Sequence, residues 1–524
     1  ALSANNTGAQ NTAMGRLSLE ANTSGSNNTA YGSSTLSTNT TADDNTAIGK
    51  SSLQANTTGT TNTAVGKDSL KANTTGDANT AVGKGALTAN TTAANNTAMG
   101  YLSLTANTTG AQNTAFGRNT LDANTTASEN TAIGNSAMGN NTTGANNTAV
   151  GSAALFTNTT ADNNVAVGFE AMKLNTTGAG NIGIGYQAME LNTTGSRNIA
   201  IGHEAYANSD TENDNIAIGE DAMTANTAGG TKNIAIGNYA GDAITSGDNN
   251  IAIGHDALSA NNSGSDNIAI GKDALLDNTT GANNVAVGVS ALANNTTAND
   301  NTAIGDDALI NNTTGTGNTA LGKNALQTNT TGIENVGIGF NALSAATGNE
   351  TVAIGHEALS TMTTAARNTA VGFEALTTSN TGYNNTAIGY VAGKGMTEGY
   401  QNTLVGDRAG TAITTGDNNT AVGQNALKTA TTANENTAIG WDALTLNTSG
   451  NYNVGVGSGV MAANTTGSEN TAVGADALDA NTTGSENTAV GYQSLSANTT
   501  GTYNVAVGKY ALAANTTGTR CTAI

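Results

Sequence analysis

Proline is absent from this chain of 524 residues, cysteine occurs once, aromatic residues make up 3% and charged residues 10%. Each shortage excludes something. Without proline, a continuous backbone ladder keeps all of its donors and no rigid kink divides the chain. One cysteine excludes a disulfide scaffold and a cysteine-based zinc site. An ordinary soluble domain is roughly 25% charged and richer in large apolar residues, so this composition does not furnish several globular cores. The 17 basic residues against 38 acidic ones give a formal charge of −21, which argues against nucleic acid or anionic membranes as partners. No segment has the unbroken apolar run of a signal peptide or a membrane helix, so membrane insertion is not expected.

What the chain has in abundance is repetition. The string Asn-Thr-Ala-aliphatic-Gly begins at Asn11, Asn28, Asn45 and Asn62 and recurs every 17 residues to Asn504, with a final start at Cys521. One step of 18 residues, Asn215 to Asn233, and one of 16, ending at Thr351, cancel each other, and the starts number 31. Nothing lies outside the pattern, which predicts one continuous repeat domain over 1–524 with no linker. The chain begins at position 8 of a repeat (Ala1) and stops at position 4 (Ile524), as expected of a stretch of a longer fibre without polar caps.

With the Asn as position 1, position 4 is apolar in every copy and position 5 is Gly wherever it is present. Positions 8 and 9 mostly read Ala or Ser, then Leu or Met, and an Asn-Thr-Thr-Gly or Asn-Thr-Thr-Ala turn usually follows from position 12. The period of two in the apolar residues predicts two short strands per coil, joined by a glycine corner and the Asn/Thr turn. Such a unit cannot bury anything alone. Stacked, it makes an all-β fold, a parallel β-solenoid or β-roll with 17 residues per coil and about 31 coils. At ~4.8 Å per coil the stack would run to roughly 150 Å.

Large aliphatic residues at positions 4 and 9 are expected to form the core, as at Ile48 and Val65, and at Leu53 and Leu70. In three coils the position-9 Leu becomes Gly241, Gly393 or Gly410, and position 12 becomes Ile244, Met396 or Ile413. That exchange reads as volume compensation, because an unfilled Leu site costs about 2–5 kcal/mol. Position 3 is Ala in nearly every coil. On the assumption that position 4 points inward, Ala13, Ala30, Ala47, Ala64, Ala81 and Ala98 point outward. A uniformly small outward column predicts close packing against copies of the same chain. Asn at positions 1 and 12 predicts side-chain amide ladders along the stack, in preference to glycans on the Asn-Thr-Thr sequons.

The motif Asn-Thr-Ala-Ile-Gly-x-x-Ala-Leu resembles the head repeats of trimeric autotransporter adhesins. Stretches such as Asn385-Thr-Ala-Ile-Gly-Tyr-Val-Ala-Gly and Asn198-Ile-Ala-Ile-Gly are still more similar to the repeats of tail-fibre-like surface proteins. The likeness covers the whole chain through a short motif. For the adhesin heads it implies a left-handed parallel β-roll, three chains side by side and a surface-binding role. The period departs from the family's, at 17 rather than about 14 residues, around the Leu segment and the Asn-Thr-Thr turn.

Position 6 is the informative surface column. It carries Tyr101, Phe169, Tyr186, Phe340, Phe373, Tyr390, Trp441 and Tyr492, several Lys and Arg, and all three histidines, His203, His255 and His356. Such a ridge is a candidate for gripping glycans or a cell surface; a corner that accepts any large side chain is the plainer reading. The histidines sit three or more coils apart and cannot share a metal. Acidic residues just before position 1, such as Asp43, Asp44, Asp162, Asp248, Asp417, Glu469 and Glu486, would suit only weak calcium binding, and they lack the Gly-Gly-x-Gly-x-Asp arrangement. No cofactor and no enzymatic activity are expected, since no carboxylate pair stands out.

The sequence thus points to a structural extracellular fibre or adhesin shaft, on a cell surface or virion, that assembles with itself as a trimer or filament bundle. An ice-binding solenoid and a phage tail fibre binding host glycans are the alternatives.

Overall fold

A computed structural model describes residues 1–524 and divides them into two compact units, Ala1–Gly264 and Ser265–Ile524. Both are parallel β-solenoids built from the same 17-residue coil. The first unit holds β1 (Thr12–Met14) to β15 (Ile251–Ile253), the second β16 (Ile268–Ile270) to β31 (Thr522–Ala523). Within each unit the strands cover positions 2 to 4, the last one positions 2 and 3 only, and pair in parallel with the same positions of the next coil, as in Thr46↔Thr63, Ala47↔Ala64 and Ile48↔Val65. The coils of 18 and 16 residues keep that register, with Ile216↔Ile234 and Val336↔Val352.

The second strand expected at positions 8 and 9 does not form. Positions 6 to 11 make a tight turn, in which the residues at 7 and 9 adopt left-handed backbone, for instance Leu17 at φ 59° and Leu19 at φ 46°. Position 17 does the same, as at Asn27 with φ 58°. Left-handed backbone costs a non-glycine residue roughly 1–2 kcal/mol, so these turns depend on what they bury and bond. They are bonded coil to coil: Leu19 N–H donates to Thr35 O at 3.0 Å and Ala21 N–H to Ser37 O at 3.2 Å. Each coil therefore closes a strand against a stacked turn, not a strand against a strand.

This geometry inverts the expected faces. Position 3 points inward. Ala30, Ala47, Ala64, Ala81 and Ala98 are 0% exposed, and Ala13 in the first strand is half-buried. They form no chain–chain face. Position 4 points outward: Ile48 is 40% exposed and Val65 half-buried, so neither is core. The reason is the width of the cross-section. Opposite the strand stands the position-9 side chain, and Leu53 and Leu70 are fully buried there. A β-carbon on Gly183, at position 3, would already come within 2.7 Å of Met172 Cγ. Ala opposite Leu fills the interior; two large residues would not fit.

Ile244, Met396 and Ile413 are fully buried. A β-carbon on Gly241 would meet Ile244 Cδ1 at 2.8 Å, so the isoleucine occupies the space a position-9 side chain normally takes. The one Leu at position 3, Leu404, lies between two such glycines, at 2.9 Å from a β-carbon on Gly393 and 2.8 Å from one on Gly410. Tyr206 follows the same logic at position 9. It is fully buried, position 12 shrinks to Ser209, and the phenol oxygen accepts from Asn215 Nδ2 at 2.6 Å and Asn226 Nδ2 at 3.1 Å.

The corner glycine at position 5 is required twice over. Gly100 has φ +140°, and a β-carbon there would lie 2.1 Å from the carbonyl oxygen of Gly117 in the next coil.

Two asparagine columns close the coil. At position 12, Asn39 Nδ2 donates to Asn22 Oδ1 at 2.9 Å and to Ala42 O at 3.1 Å, and its own Oδ1 accepts from Asn56 Nδ2 at 3.0 Å. At position 1, Asn28 N–H donates to Asn11 Oδ1 at 2.9 Å, and its Nδ2 reaches Ala42 O at 2.8 Å. Both amide hydrogens of Asn39 are committed and the side chain is fully buried. The sequon nitrogen therefore has no room for a glycan in the folded coil.

Candidate functional site

Because position 6 follows the corner glycine on the outside of the coil, its side chains stand above one another along each unit. Rings on neighbouring coils then stack. In the first unit Phe169 and Tyr186 lie 5.4 Å apart at 14°, and Tyr186 and His203 5.2 Å apart at 7°. In the second, Phe340, His356, Phe373 and Tyr390 form one stack with centroid spacings of 5.2, 5.1 and 5.4 Å, and the Arg408 guanidinium lies 5.7 Å from the Tyr390 centroid. Lys84 covers Tyr101 at 5.4 Å, and Lys509 covers Tyr492 at 5.6 Å. All eight ring residues of the candidate ridge are exposed, but seven have a face or edge engaged by a neighbouring ring or cation. The eighth, Trp441, has no such neighbour and is the most exposed of them at 56%.

Beside this column runs position 7, where polar side chains pair from coil to coil. Gln187 Nε2 donates to Glu170 Oε2 at 2.9 Å, and Lys173 Nζ to Glu170 Oε1 at 2.8 Å. Lys173 above all, then Gln187, holds the Glu170 carboxyl below its ordinary range. In the first unit, His203, Glu204 and Asp221 bring one ligand atom each within 4.8 Å of one another on an open corner. They could offer a divalent metal three ligands, but the imidazole also stacks on Tyr186 and lies 3.8 Å from Glu204 Oε1. The histidines do not converge on one another.

Two features escaped the sequence reading. A second aromatic pair, Tyr383 and Tyr400 at position 16, stacks at 5.2 Å with planes 3° apart. The other is a cleft of about 420 Å³ beside Trp441, lined also by Leu446, Gly459, Ala462, Ala463, Asp476 and Asp479. Its cause is local. The coil after Trp441 carries Ser458, Gly459 and Ala462 where most coils place longer side chains, which leaves the surface there hollow. The signal was in the sequence as a run of small residues beside the only tryptophan.

Position 10 lies at the edge of the turn and half buries its side chain. Burial, helped by the nearby carboxylates of Asp256 and Asp221, pushes the Asp242 carboxyl up to about 6. The folded chain therefore holds a proton there that the unfolded chain releases nearer 3.8. Stability should fall as pH rises from about 4 to about 6 and level off above that. Asp242→Asn should remove this slope and raise the melting temperature at neutral pH, as read from melts of both proteins across the window; a slope that survives the substitution would refute the assignment.

The chain matches no protein-family model and no curated protein. No helix is long and apolar enough to cross a membrane.

Proposed function

We propose that this chain is the shaft of an extracellular structural fibre that associates with copies of itself through the outward face of its strands. The observation that carries this reading is the pair of outward columns at positions 2 and 4. In the first unit, five successive strands from Ile182–Ile184 to Ile251–Ile253 place ten isoleucines on one flat, in-register face. A face of fifteen strands, ~10 Å wide and ~4.8 Å per strand, covers on the order of 700 Å², close to the ~800 Å² per partner of a stable interface. The repeated core, corner and amide ladders support regular stacking and point to no reaction, so a non-enzymatic role follows from the same reading.

Sedimentation of the purified chain should give an oligomer. Substituting Ile216, Ile234 and Ile251 with Lys, on side chains that point away from the core, should give monomers that still melt cooperatively, with a melting temperature lowered by the loss of association. A monomeric wild-type chain would sink self-association.

One observation favours a second reading. From Thr12 to Thr148, nine strands present Thr at position 2 on that same outward face, in register. A flat threonine column beside an aliphatic one can order water, as an ice-binding surface requires. Thermal hysteresis of the purified chain tests this, and its absence would leave the shaft reading alone.

A further inference from the structure

We propose that the cleft beside Trp441 binds an alkylammonium group, with the indole face as one wall and the Asp476 and Asp479 carboxylates as counter-charge. This site is separate from the strand face and does not depend on the shaft reading. Three observations carry it. First, Trp441 is the one ring of its column with neither a stacked ring nor a cation, and it lines the cleft. Indole is the strongest aromatic partner for a cation.

Second, the carboxylates opposite it lack a cationic partner. Asp479 Oδ1 is buried without a hydrogen bond, and the only side-chain hydrogen bond to Asp476 comes from Gln493 Nε2 at 3.5 Å. Burial, then repulsion from Asp476, raises the Asp479 carboxyl above its ordinary value, as expected of two acids facing a space that no positive charge fills. Third, residues 429–508 contain no Lys, Arg or His but six carboxylates, so the whole neighbourhood carries a negative potential that draws cations and repels anions. The floor of Gly459, Ala462 and Ala463 offers apolar contact to the methyl or methylene groups around the nitrogen.

Trp441 is the only tryptophan, so fluorescence excited at the red edge of indole absorption, where the 12 tyrosines do not absorb, reads this cleft alone. Choline is the small-molecule probe, Nα-acetyl-lysine methylamide stands for an ammonium carried on a protein, and 3,3-dimethyl-1-butanol is the neutral isostere of choline. Saturable change with either ammonium probe, and none with the alcohol, is the expected result; which ammonium binds tells a small-molecule from a protein source. Asp479→Asn should weaken that binding about ten-fold while leaving the melting temperature at or above wild type. The proposal is overturned by no saturable change with either ammonium, by an equal response to the neutral alcohol, or by unchanged affinity in Asp479→Asn.

Discussion

Ala303→Leu should destabilise the second unit by about 3 kcal/mol, whereas Ile304→Ser, one residue further on, should cost well under that. The contrast follows from the inverted faces. Ala303 is 0% exposed between Ala286 and Ala320 in the strand ladder, and faces the fully buried Leu292 and Leu309. Three extra carbons have nowhere to go. Ile304 is 38% exposed, so trimming it removes little buried surface. The natural exception indicates the rescue. Leu404 is accommodated because Gly393 and Gly410 have no side chain at position 9, and its δ-carbons take space where β-carbons on those two residues would lie. Leu309→Gly added to Ala303→Leu should therefore recover part of the loss, and glycine tolerates the left-handed backbone that Leu309 now holds at φ 53°. Urea titrations of the three variants check all of this. If Ala303→Leu proved neutral and Ile304→Ser costly, the strand would have to be turned over.

Asn73→Asp should be more disruptive still at neutral pH, on the order of 3–5 kcal/mol, because it leaves a buried charge without a partner. Asn73 Nδ2 donates to Asn56 Oδ1 at 2.9 Å and to Gly76 O at 2.9 Å, while its Oδ1 accepts from Asn90 Nδ2 at 2.9 Å. A carboxylate keeps the last bond but turns a second acceptor oxygen toward two existing acceptors. The substituted acid is then easier to protonate folded than unfolded, so its folded pKa lies above the ordinary value of about 3.9. The sign follows: the penalty is full above that raised pKa and shrinks as pH falls toward the unfolded value. Melting curves of the variant and wild type should converge in acid. A gap independent of pH would mean that Asn73 acts through packing and not through its hydrogen bonds.

The ladder that these experiments probe is not continuous. In the second unit position 12 runs from Asn278 to Asn329 and resumes at Asn447, and between them stand Ala346, Met362, Ser379, Met396, Ile413 and Ala430. Five of those six coils exchange the polar column for apolar filling, and the sixth carries Ser379. All five apolar replacements, Ala346, Met362, Met396, Ile413 and Ala430, are fully buried, so apolar packing stands where the ladder stops.

Much of the coil was legible in the sequence because repetition compares each position with itself. The period, the parallel register, the strict corner glycine and the asparagine columns all follow from side chains recurring at a fixed spacing, and so does the exchange of Leu for Gly241 with Ile244. The ridge was legible as a column, but not its consequence, that neighbouring rings or cations engage seven members and leave Trp441 as the free one. The cleft needed the neighbouring columns too, since Gly459, Ala462 and Asp479 lie in different coils or different columns from the tryptophan they surround.

The inside and the outside of the strand were decided only by the tertiary structure. An alternation of small and large apolar residues is symmetrical: it says that positions 3 and 4 face opposite ways, and size suggested that the larger was buried. The turn opposite settled it. Left-handed backbone at positions 7 and 9 draws the coil tight and drives the position-9 side chain across the interior, leaving only an alanine's depth beneath the strand. By itself the sequence determined a coil of 17 residues and which residues stack on which; the width of the coil, a property of backbone angles that Leu and Ser do not advertise, determined which face is core and which is left outside.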